Sequence, residues 1–108
     1  MARTGFAVTG AATDTTVIAS PGAGKVLKIL RLQFTVSAAA TVSFTDGNDA
    51  TATRLVYGDF AANGGVLTAA SGGQPNPYPV AVLTAATAFK VTNSAGNIKG
   101  VVEYDILG

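Results

Sequence analysis

Cysteine, histidine and tryptophan are absent from the 108 residues. Without cysteine there is no disulfide framework, and without cysteine and histidine there is no thiolate or imidazole metal site. The same absences exclude Ser-His-Asp and Cys-His nucleophile systems. Charge is scarce: 12% of residues are charged, against ~25% in an average domain. Lys+Arg number 7 and Asp+Glu 6, a net charge of +1. No basic block is present to neutralise phosphates, so nucleic-acid binding lacks its main driving force. Long apolar runs are missing too. The longest, Val26 to Phe34, is interrupted by Lys28, Arg31 and Gln33, far short of the ~20 residues of a membrane span. Residues 1–20 lack the apolar core of a signal peptide. These absences predict no membrane or nucleic-acid partner and no cofactor or metal. They also predict a protein made in the cytoplasm.

What is present is apolar and small. Hydrophobic residues make up 48%, too many for a disordered chain of low net charge, and the length is that of one domain. Much of the apolar fraction is alanine, which buries little area. A modest core predicts a monomer that gains stability from subunit contacts.

Short β runs separated by Gly, Pro, Asn and Asp recur along the chain. In the strongest, Leu30, Leu32, Phe34 and Val36 fall on one face and Arg31, Gln33, Thr35 and Ser37 on the other, the period of two of a half-buried strand. Leu27 and Ile29 break that phase, which predicts a bulge or burial on both faces. Strands are expected near 15–19, 26–37, 41–45, 54–57, 65–69, 80–84, 88–93 and 98–106. Eight strands at short spacing without a helix indicate an all-β sandwich or barrel. The expected core is Leu30, Leu32, Phe34, Val36, Val42, Phe44, Phe89, Val91, Val102 and Tyr104.

The motifs with chemical potential are weak. Ser20 to Val26 imitates a phosphate loop, but Ala19 stands where glycine is required and Val26 where Ser or Thr is required. A turn between strands fits better. Asp46-Gly47-Asn48-Asp49 offers oxygens to calcium but lacks the terminal glutamate and flanking helices of an EF-hand. Glu103 and Asp105 share one strand face, where paired carboxylates more often solubilise than hydrolyse sugars. Tyr57, Phe60 and Tyr78 near loops are either a ligand platform or caps on the core and interfaces. No catalytic residue is expected.

From Thr16 onward the pattern resembles small jelly-roll decoration (cement) proteins of tailed-bacteriophage capsids. The resemblance is carried by Thr16-Val17-Ile18, Gly24 to Leu30, Ala40 to Gly47, the Gly/Asn turn before Val66-Leu67, and Gly96 to Tyr104. It implies an eight-stranded antiparallel jelly-roll sandwich, with an immunoglobulin-like sandwich as the alternative. The implied function is a non-enzymatic virion protein on the outer surface of the capsid. It would form a homotrimer over three-fold positions, bind the major capsid protein and bridge capsomers. A tail, fibre or head-spike component binding host glycans is the competing class, and a small hydrolase is the third.

Two segments are expected to make contacts. Residues 1–12, before a sandwich domain at 13–108, read as an N-terminal arm or an extra edge strand. As an arm they would lie on the capsid through Arg3, Phe6 and Val8 and add a strand to a neighbouring sheet. Deleting them would then leave the fold intact. The stiff loop with Pro75, Pro77, Tyr78 and Pro79 is the expected subunit interface, because stiffness lowers the ordering cost of binding.

Overall fold

The computed structural model describes residues 2–69 and 81–108. These form nine strands: β1 (Ala2–Val8), β2 (Ala12–Ile18), β3 (Val26–Val36), β4 (Ala40–Asp46), β5 (Arg54–Phe60), β6 (Gly65–Ala69), β7 (Ala81–Val82), β8 (Phe89–Asn93) and β9 (Ile98–Leu107). No α-helix occurs among the described residues; a single 3-10 turn, Thr51–Thr53, precedes β5. Every strand pairing is antiparallel. One sheet runs β1-β9-β3-β6, with β7 also paired to β3, and the other runs β2-β8-β4-β5.

The two sheets pack as a sandwich around a core of phenylalanines and branched aliphatics. All 5 phenylalanines of the sequence form one connected cluster. Phe44 is its hub, with ring centroids 4.8 Å from Phe34, 5.6 Å from Phe89 and 5.8 Å from Phe6, and Phe34 meets Phe60 at 5.3 Å. Leu27, Ile29, Leu32, Val42, Val91, Ile98 and Val102 fill the space around the rings. Such buried aliphatics are each worth about 1.5–3 kcal/mol against exposure.

The strand count is a first correction: the described residues hold nine strands where eight are expected. The added one is β1, in the segment set apart as an arm. It pairs along its length with β9, from Ala2↔Tyr104 to Val8↔Ile98. Alternation turns Phe6 and Val8 inward, so Val8 is buried and the Phe6 ring reaches Phe44 in the opposite sheet. Gly100 makes room for that ring: a Cβ there would lie 2.7 Å from the Phe6 ring and closer still to the Gln33 carbonyl. Residues 2–8 are therefore an edge strand of the domain, the other of the two readings the sequence left open. Deleting them with the fold intact is no longer the expectation.

Leu30 is the second correction. Ile29 pairs with Tyr104 and Arg31 with Glu103, so Leu30 is an extra residue in β3. The bulge expected from the phase break is there, and it resets the alternation. Leu27 and Ile29 point inward before it, Leu32, Phe34 and Val36 after it, and Leu30 itself is only half-buried. Tyr104, also expected in the core, is partly buried and packs against its margin. The strand expected at 80–84 is shorter among the described residues. After Val82 the chain crosses between the sheets: Leu83 is buried and donates to the Leu27 carbonyl, and the Thr84 amide and hydroxyl both donate to Asp46.

Candidate functional site

The outer face of the β2-β8-β4-β5 sheet carries a concave site of about 460 Å³. Its residues follow from register. Tyr57 pairs with Ser43, and Ser43 with Thr92, so these three form one row across β5, β4 and β8. The next row holds Asp59 and Thr41, whose hydroxyl donates to Asp59 at 2.6 Å. In β4 these positions alternate with the buried Ala40, Val42 and Phe44, so Thr41 and Ser43 face away from the core.

Two bulges shape the site. Phe44 pairs with Val56 but Thr45 with Arg54, which leaves Leu55 extra in β5. Without it Arg54 would share the inward phase of Val56. With it, Arg54 joins the face of Tyr57, and its guanidinium carbon lies 4.1 Å from the Tyr57 ring centroid. Re-aiming a side chain is a common role of bulges. The second bulge lies in β2 between Ala12 and Thr15. There Asp14 takes φ +51°, the left-handed region that Asp tolerates better than most residues. Its amide donates to the Thr92 hydroxyl at 2.9 Å, and its carboxylate accepts the Asp49 amide at 2.7 Å.

The connection from β4 to β5 thus folds back over the sheet. Asp49, at its centre, accepts from the Ser43 hydroxyl at 2.9 Å and Arg54 Nε at 3.1 Å, both on Oδ1. Lys90 Nζ donates to the Asn48 side chain at 3.1 Å. The fold-back explains why Ser43 and Thr45 are buried although Ser43 faces outward. Asn93 lines the site and is itself buried. Its amide donates to the carbonyls of Gly10, Ala95 and Gly96, and its carbonyl oxygen has no partner among the described residues.

Hydrogen bonds from Arg54 and Ser43 hold the Asp49 carboxyl below its usual range. At neutral pH it is an acceptor, not a proton donor, and it does not match the raised acid that glycoside hydrolysis requires. A carboxylate whose pKa is lower in the folded state stabilises the fold above the unfolded value of ~4 and loses that contribution as pH falls through the folded value. Wild type should therefore melt slightly above Asp49→Asn from pH 8 down to about 4, and the gap should close below that. The effect is small because the pair is partly exposed. A gap that persists unchanged at pH 2 would assign the effect of the substitution to something other than this ionisation.

The residues singled out from the sequence are placed as follows. Phe6 and Val8 belong to the interior, and Arg3 is exposed on β1 opposite Glu103. Pro75, Pro77, Tyr78 and Pro79 lie outside the described residues. Of the calcium candidates, Asp46 accepts from Thr84 on both carboxylate oxygens, and Asp49 accepts from Ser43 and Arg54 on Oδ1. Of the possible aromatic platforms, Phe60 turns inward onto Phe34, while Tyr57 remains 56% exposed. Arg54, Ser43 and Thr92 line the site without any sequence motif that marks them. Arg54 reaches its face only through a bulge, which leaves no pattern in the residue string.

No protein-family model, curated protein or solved structure matches this chain.

Proposed function

We propose that the chain is a capsid decoration protein of a tailed bacteriophage. In this reading it is a jelly roll that sits as a homotrimer on the outer surface of the head, binds the major capsid protein and bridges capsomers. The observation that carries the reading is the strand order. Taken from the outside in, β1 pairs with β9, β2 with β8, β3 with β6 and β4 with β5. One long antiparallel hairpin rolled into two sheets yields that order, and it favours a jelly roll, an architecture of viral capsid domains. An immunoglobulin-like sandwich instead pairs its first two strands within one sheet, whereas β1 and β2 here lie in different sheets.

The outer face of the β1-β9-β3 side suits a broad contact. Its rows are Arg3, Glu103 and Arg31, then Gly5, Val101 and Gln33, then Ala7, Lys99 and Thr35. Arg31 and Glu103 approach to 4.0 Å. Its charged side chains are of both signs, and the rest are polar or small aliphatic. Among the described residues β1 pairs on one side only. Its other backbone edge is available for strand addition, with Arg3 beside it. The N-terminal contact is thus reassigned from the Phe6 and Val8 side chains to the edge of their strand.

The mechanism needs no catalysis. Packaged DNA pushes capsomers apart, and a bound subunit adds contact energy at each junction. Heads of the encoding phage, assembled without this protein, should take up purified protein saturably and then release their DNA at a higher temperature. Light scattering of the free protein should give a trimer mass. Heads that bind none of it, with unchanged thermal release, would overturn the reading.

A further inference from the structure

We propose that the concave face formed by Tyr57, Arg54, Asp49, Ser43 and Thr92 is a binding site for a neutral saccharide, held through a vicinal diol. The inference does not rest on the capsid reading, and either can fail alone.

The first argument is the pairing of donor and acceptor. Arg54 spends Nε on Asp49, and Asp49 receives both of its hydrogen bonds on Oδ1. Among the described residues nothing occupies Asp49 Oδ2 or the two Arg54 Nη groups. Joined through Nε and Oδ1, the pair leaves a carboxylate oxygen to accept and a guanidinium fork to donate. Two adjacent sugar hydroxyls match this: one donates to Asp49 Oδ2, and its neighbour accepts from Arg54 Nη. Both bonds are charge-assisted, the stronger class. The guanidinium is held for this task between Asp49 and the Tyr57 ring, so little freedom is lost on binding.

The second argument separates a polyol from an anion. Arg54 alone would favour a phosphate or carboxylate. Asp49 at 3.1 Å from its Nε cancels that charge and would repel an anion brought to the same place. Hydroxyls suffer no such repulsion. The third argument is the wall. Tyr57 is 56% exposed, yet it belongs to a strand and is stacked by Arg54, so its ring is exposed but fixed. Its uncovered surface suits the C–H edge of a sugar ring, while Thr92, at the far end of the same row, makes the opposite side polar. The site of about 460 Å³ lies within the ~300–1,000 Å³ of small-molecule sites.

The test uses the full chain labelled with nitrogen-15 and observed by NMR. The probes are glucose, galactose, mannose and N-acetylglucosamine, with galacturonate and inorganic phosphate as anionic controls. At least one neutral sugar should shift the amides of Ser43, Asp49, Arg54, Tyr57 and Thr92 saturably. Deoxy analogues lacking either hydroxyl of the preferred diol should bind about tenfold or more weakly, the loss of one hydrogen bond to a charged group. Asp49→Asn and Tyr57→Ala should weaken binding comparably, whereas Tyr57→Phe should retain it. Melting curves of the variants show that the fold persists. Absence of saturable shifts with every neutral sugar overturns the proposal. So do shifts that survive both weakening variants, or binding of galacturonate and phosphate alone, which would make Arg54 a simple anion site.

Discussion

Phe44→Ala should be the most damaging single truncation in the molecule, costing about 3–5 kcal/mol. That is a large share of the ~5–15 kcal/mol of a typical domain. Phe44 is fully buried and is the ring on which Phe6, Phe34 and Phe89 converge. Truncation removes its own burial and leaves a cavity bordered by three rings, which belong to β1, β3 and β8. Those strands are held by backbone pairing to other neighbours and cannot all close on the void. At roughly 4–8 °C per kcal/mol for a domain of this size, the melting temperature should fall by more than about 12 °C. Tyr57→Ala, at an exposed position, should change it little. If denaturant unfolding placed Phe44→Ala within about 1 kcal/mol of wild type, the aromatic hub would not be what joins the sheets.

Deleting residues 2–8 should cost about as much, through a different route. Releasing the strand returns backbone entropy of ~1–2 kcal/mol per residue, which offsets the lost pairing with β9. What stays uncompensated is apolar cover. Val8 is buried and Phe6, partly buried, packs on Phe44, and with full burial worth about 1.5–3 kcal/mol per side chain the deficit is about 2–5 kcal/mol. The deletion also turns β9 into a long exposed edge, a template for unwanted pairing. Lower denaturation midpoints together with aggregation on size exclusion are the expected result. The double substitution Phe6→Ala/Val8→Ala keeps the edge covered and should reproduce the loss of stability without the aggregation. A deletion variant with an unchanged midpoint would return the segment to the role of a detachable arm.

Local chemistry was enough to locate most strands and turns. Alternation from Leu32 to Val36 and from Val42 to Phe44 needs no partner to be read, because successive side chains leave a strand on opposite faces. Gly22, Gly24, Gly47 and Gly96 all take positive φ at turns, where their lack of a Cβ removes the penalty. The phase break at Leu27 and Ile29 announced a bulge for the same local reason. It does not say which residue the bulge excludes, and alternation counted back from Leu32 places Leu30 on the inward face.

What tertiary structure alone decided were the relations between distant segments. β1 looks like a tail because Phe6 and Val8 stand in a poor sequence. It becomes part of the core because β9, nearly a hundred positions away, offers Gly100 opposite Phe6. The candidate site has the same origin. Asp14, Ser43, Asp49, Arg54, Tyr57 and Thr92 come from four strands and one connection; one extra residue turns Arg54 onto the face of Tyr57, and another lies where Asp14 bonds Thr92 and the Asp49 amide. A bulge depends on the register of a neighbour, and register is set by how two whole sheets fit across a shared core. Composition excluded thiol, imidazole and indole chemistry from the start. Which of the remaining hydroxyls, carboxylates and guanidinium groups would meet was left to the packing.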